Sequence, residues 1–163
     1  MELAGRKALL TGATGGLGRA IATALAGRGA TVVLSGRSLE ALEAMAAELP
    51  GSGHRALSSD LAQPGAAEKL AAEAGPIDAL VANAGLPGTG RLPDFSAEEL
   101  TGALRVNLEA PMLLARALEP GMLERGSGHM VFVASLSGKS ATPLSSVYNA
   151  TKFGLRGFAL GLR

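Results

Sequence analysis

The chain has 163 residues, 47% apolar and 18% charged, with a formal charge of +1. That suits one soluble globular domain and gives no electrostatic reason to bind nucleic acid or an acidic membrane. With no cysteine there is neither a disulfide framework nor a thiolate metal site, and the two histidines, His54 and His129, lack ligand spacing, so no metal is expected.

In chain order, Lys7 to Thr11 is a short apolar run that leads into a glycine turn, not into a secretory cleavage site. No window approaches the ~18 apolar residues of a membrane span. The expectation is a cytoplasmic protein. Leu17 to about Arg28 has a helical pattern, and Ala30 to Ser35 is a strand rich in β-branched residues. Leu39 to Leu49 has apolar positions at helical spacing and stops at Pro50-Gly51. His54 to Ser59 is a strand, Gly65 to Ala74 a helix and Asp78 to Ala82 a strand. Ser96 caps a long helical stretch to about Arg125, with Glu98 and Glu99 in its first turn, where the helix dipole favours acids. Pro111 and Pro120 are expected to bend or divide it. His129 to Ala134 is a strand, and a helix runs from Ser145 to Arg163. Strand–helix alternation predicts an α/β fold: a doubly wound parallel sheet in three layers, α/β/α.

The stretch Thr11 to Gly18 (TGATGGLG) leaves the first strand and opens the first helix. Gly12 allows the tight turn, Gly16 lets a pyrophosphate approach the backbone, and Gly18 lets the helix pack close to the sheet. The N–H groups of the helix start then face the anion. Far downstream, Tyr148 is the only tyrosine, and Lys152 follows it by four residues. Four lysines in 163 residues put one at a given position about once in forty, so chance is a modest risk. On a helix the two share a face. An isolated phenol is a poor acid–base catalyst at neutral pH, and a neighbouring ammonium favours its ionised form.

The spacing Thr11-Gly12-x-x-x-Gly16-x-Gly18 resembles the cofactor motif of the short-chain dehydrogenase/reductase family. Further stretches match in order over essentially the whole chain. Asp60 is similar to the family residue that contacts adenine, with Leu61 beside it. Asn83-Ala84-Gly85 resembles the family's Asn-Ala-Gly motif, although Ala82 stands where an Asn often precedes it. Asn107, Ser135, Tyr148 and Lys152 fall where the family carries its catalytic tetrad.

The resemblance implies a single NADP-binding Rossmann domain over residues 1–163, with sheet order 3-2-1-4-5. Cofactor contacts are implied from Gly12, Thr14, Gly16, Leu17, Gly18, Arg37, Asp60, Leu61, Asn83, Ala84, Gly85, Tyr148 and Lys152. Gly36 stands where the family's NAD users place an aspartate, and Arg37 offers a charged fork to a 2′-phosphate. NADP(H) is therefore expected in preference to NAD(H).

The implied activity is hydride transfer between a ketone and a secondary alcohol, with Tyr148 as acid–base. Ser135 orients the substrate oxygen, Lys152 also binds the nicotinamide ribose, and Asn107 holds a water in a relay through Lys152. Ser137 is an alternative to Ser135. The segment Leu86 to Pro93 (LPGTGRLP) is the candidate pocket loop.

Family members continue past the last helix with strands absent from this sequence, so the domain is expected to be incomplete at its C-terminus, with the fifth strand an unpaired apolar edge. Either the polypeptide continues, or another chain completes the sheet, or a short form binds NADP without chemistry. The implied partners are a small carbonyl or alcohol and a second copy, in a homodimer or homotetramer through the two long helices. A non-catalytic nucleotide-binding or interaction module on the same fold is the alternative function.

Overall fold

A computed structural model describes residues 2–162. Five parallel strands form one sheet: β1 (Lys7–Thr11), β2 (Thr31–Gly36), β3 (Arg55–Ser58), β4 (Ala79–Ala82) and β5 (His129–Phe132), in the order β3-β2-β1-β4-β5. This is the expected order. The helices are α1 (Gly16–Ala26), α2 (Leu39–Glu48), α3 (Ala66–Ala74), α4 (Ala97–Leu104), α5 (Ala110–Glu124) and α6 (Ser146–Gly161). Arg163, the expected end of the last helix, lies outside the described residues. Among those described, no helix is long and apolar enough to cross a membrane.

Side chains alternate across a strand, and both faces of this sheet are apolar. Leu10, Val32, Leu34 and Val81 pack with Ala22, Leu42 and Met45 under α1 and α2. Leu9, Val33 and Leu80 pack with Leu70, Leu114 and Leu118 under α3 and α5. The strands therefore read as continuous apolar runs, as a sheet covered on both faces requires. His54 is part of this scaffold. Its Nδ1 accepts from the Val32 N–H at 3.1 Å, and Nε2 meets the Pro50 carbonyl at 3.0 Å. β5 pairs with β4 alone, and Val131 on it is exposed.

The long helical stretch divides elsewhere than expected. Pro120 sits inside α5 without ending it. The break is a π-helical segment, Arg105–Glu109, between α4 and α5. Pro111 has no N–H for the carbonyl of Asn107 four residues back, and the bonding widens just before it, with the Ala110 N–H reaching Arg105. At the other end, Ser96 and Glu99 form a complete capping box. The backbone N–H and hydroxyl of Ser96 hold the Glu99 carboxyl below its usual range.

Candidate active site

The sheet order reverses direction between β1 and β4, and a parallel sheet opens a crevice at the C-terminal ends of its strands at such a point. A cavity of about 510 Å³ lies there. Gly12, Thr14, Gly16, Leu17, Gly18, Arg37, Asp60, Leu61, Asn83, Ala84 and Gly85 all border it. The turns after four strands thus bring together residues spread over more than seventy positions of sequence.

The cavity's geometry fits a dinucleotide. Gly15 caps α1 with no side chain, and the first turn carries no acid, so its N–H groups are left for an anion. A Cβ at Gly16 would meet nothing within 4 Å, which leaves open space over the backbone there. A Cβ at Gly18 would strike the Gly12 carbonyl and lie 2.7 Å from that of Ala13, so the close approach of α1 to the strand end requires glycine. Arg37 is exposed just past β2, close enough to Asp60 to help hold its carboxyl low. The larger causes of that lowering are bonds from the Gln63 side chain and the Ala62 N–H.

Asn83 holds the crevice together as well as bordering it. Its Nδ2 donates to the carbonyls of Thr11 and Gly12 at 3.0 and 3.1 Å. The Thr11 hydroxyl oxygen accepts from the N–H groups of Asn83 and Ala84, both at 3.0 Å. β1 and β4 are thereby fixed to each other where their ends face the cavity.

Tyr148 and Lys152 border a second cleft, of about 440 Å³, which shares Leu17, Asn83, Gly85 and Leu86 with the first. Pro87 and Thr89 of the expected pocket loop line it, together with Val133 and Ala134. Lys152 is 4% exposed, and burial lowers its pKa. Its Nζ lies 5.6 Å from the centre of the Tyr148 ring and donates to the Val133 carbonyl at 2.8 Å. An ammonium thus sits beside the phenol, held by a backbone oxygen past β5.

The other two tetrad candidates border neither cavity. Asn107 is fully buried in the π segment, where its amide bonds Leu86 and the Thr151 hydroxyl. Ser135 caps a short turn, its Oγ accepting from the Ser137 N–H at 3.1 Å. Ser137 lies within that turn and borders neither cavity.

The sequence profile of the family described as short chain dehydrogenase matches residues 6–163. The chain belongs to that family. Within it, a relative named ketoacyl reductase HetN, from a Nostoc species, is 41% identical over 159 residues, covering 94% of this chain and 55% of the relative. A metagenomic short-chain oxidoreductase crystallised with NADP superposes with a TM-score of 0.89 at 37% identity, covering 99% of this chain and 75% of that one. A 3-oxoacyl (acyl-carrier-protein) reductase from Agrobacterium tumefaciens with NADP bound gives 0.92 at 31% identity, covering 98% and 64%. This short-chain dehydrogenase spans about half the length of the curated relatives it matches first.

Two groups in the site escaped the sequence motifs, and Thr11 opened the glycine motif without a role for its hydroxyl. Thr151 left no signal beyond its place between Tyr148 and Lys152. The Val133 carbonyl left none, because every residue has one.

Proposed function

We propose that this short-chain dehydrogenase interconverts a small ketone and a secondary alcohol with NADP(H), using Tyr148 as acid–base. The observation that carries the proposal is the wall the two cavities share: the cleft with Tyr148 and Lys152 has Leu17, Asn83, Gly85 and Leu86 in common with the cavity that the glycine turn, Arg37 and Asp60 border. When bound, the cofactor supplies or takes up the hydride.

The chain's own groups supply the rest. The first turn of α1 receives the pyrophosphate. Arg37 meets the 2′-phosphate with its guanidinium, and Gly36 offers no carboxylate to repel it. In reduction the Tyr148 hydroxyl gives its proton to the substrate oxygen, and in oxidation the same oxygen takes it back. The Lys152 ammonium stands 5.6 Å from the centre of the ring that carries the charge left after proton transfer. Ser135, three residues past β5, offers its hydroxyl hydrogen to the substrate oxygen while its Oγ accepts from the Ser137 N–H.

The NADP-bound neighbours support the cofactor. The relatives named for ketoacyl and 3-oxoacyl reduction make a β-keto acyl group the first carbonyl to try. Apolar side chains exposed on the long helices, among them Leu104, Met112, Phe153 and Leu160, support self-association. The deciding experiment is Tyr148→Phe with ethyl acetoacetate and NADPH. Turnover should fall by a hundredfold or more, on the order of general acid–base contributions, while NADPH binding persists. Surviving turnover would remove Tyr148 as the acid–base, whereas NADPH binding with no turnover in the natural chain would leave a nucleotide-binding module.

A further inference from the structure

The helix that carries Tyr148 begins without a side-chain cap of its own. Its N-cap residue, Ser145, is buried at φ −128° and ψ 25° and makes no side-chain bond to the first turn. The third helical N–H, a usual target of a capping oxygen, is that of Tyr148. It donates to the carbonyl of Gly88 at 3.3 Å, in the loop after β4.

Two residues on, the same loop grips the approach to α6. The Gly90 N–H donates to the Leu144 carbonyl at 2.7 Å. Leu144 is the one non-glycine residue with positive φ among those described, at +59°, and its side chain is exposed. Burial of that side chain does not explain a left-handed backbone there, whereas the bond to Gly90 does. The far end of the approach is held by Asn149, whose Nδ2 donates to the Thr142 carbonyl at 3.1 Å.

Gly88 is buried, and a Cβ there would lie 2.9 Å from the Tyr148 nitrogen and 3.3 Å from its Cα. Those are backbone atoms, so any side chain at position 88 displaces Tyr148 itself. Pro87 and Thr89, on either side, line the cleft that Tyr148 faces.

We propose that Gly88 is the positioning residue for Tyr148: its carbonyl caps α6 from outside, and its missing side chain sets how closely the tyrosine backbone meets the cleft wall. The catalytic consequence rests on the acid–base reading of Tyr148, whereas the cap does not. A substrate packed on Pro87 and Thr89 bears on the residues either side of Gly88.

Labelling with 15N-tyrosine yields a single amide signal, because Tyr148 is the only tyrosine. In Gly88→Ala, hydrogen exchange of that amide should accelerate about tenfold or more, as expected for loss of a local bond. NADPH affinity should stay within about twofold, and kcat for ethyl acetoacetate should fall about tenfold or more with KM little changed, the pattern of a group misplaced for the transition state. A folded Gly88→Ala with unaltered exchange overturns the proposal. If that variant does not fold, the natural chain carries the test: the Tyr148 amide should exchange at least about tenfold more slowly than those of Ser146 and Val147 in the same turn, and equal exchange overturns the proposal. Turnover that survives Tyr148→Phe removes the acid–base role and leaves the cap standing, since exchange needs no substrate.

Discussion

Asn107 grips the backbone of Leu86 with both ends of its amide, Oδ1 accepting from the N–H at 2.7 Å and Nδ2 donating to the carbonyl at 2.9 Å. The π segment thereby fixes the strand-end loop that both cavities share. Nδ2 also reaches the Thr151 hydroxyl at 3.3 Å, one residue before Lys152. A single fully buried side chain links the cofactor side of the crevice to the helix of the proposed acid–base pair.

Truncating that side chain should therefore cost stability before it costs chemistry. Asn107→Ala leaves the half-buried Leu86 N–H and carbonyl without their partner, at about 1–3 kcal/mol for each where water does not replace it. Thermal melting should fall by about 5 °C or more, given about 2–4 °C per kcal/mol at this size. NADPH affinity should weaken with it, because Leu86 borders the cofactor cavity. A melting temperature within about 1 °C of the natural chain would show that the paired bonds carry little.

Cofactor choice should turn on two adjacent residues. Arg37→Ala should weaken NADPH binding about tenfold or more, as loss of a charge-assisted contact implies, and leave NADH binding nearly unchanged. Gly36→Asp should add affinity for NADH and oppose NADPH. A Cβ at Gly36 would meet Leu42 and Thr14 at an ordinary 3.6 Å, so the site admits the substitution. Fluorescence titration of both nucleotides checks this. Equal losses for NADH and NADPH in Arg37→Ala would remove the 2′-phosphate from the account.

Lys152 gives a pH dependence with a definite sign. Burial lowers its folded-state pKa below the ordinary 10.5, so between the two values the unfolded chain holds more protons. Stability from this group therefore rises with pH through that window and is lowest beneath it. Lys152→Met removes the effect. Its melting temperature at pH 7 should match or exceed that of the natural chain, and the advantage should shrink as the pH approaches 10. Turnover should be lost at every pH. Paired melts from pH 7 to 10 test this, and an advantage that grows with pH would reverse the argument.

The alternation of apolar runs in the sequence was sufficient for the sheet. Leu9 and Leu10, or Val32 to Leu34, can bury both faces of a strand only between two layers of helices, and the structure places helices on both. The glycine turn was equally legible, because Gly18 admits no side chain where α1 meets the Gly12 and Ala13 carbonyls. Steric demands of this kind are local and are written in residue type. Of the two prolines only Pro111 marked a division, because the cost of a proline depends on the bonding around it: the helix widened just before Pro111 and ran on through Pro120.

What only the tertiary structure decided is where the polar groups of the four candidate residues point. The sequence alone determined that Asn107, Ser135, Tyr148 and Lys152 stand at family spacing. The fold turned Asn107 onto Leu86, Ser135 onto its own turn, Lys152 onto the Val133 carbonyl and the Tyr148 N–H onto Gly88. All four of those partners are backbone groups, which carry no residue signature. They become distinctive only when strand ends far apart in the chain converge on one crevice and each buried polar group must find a partner within reach.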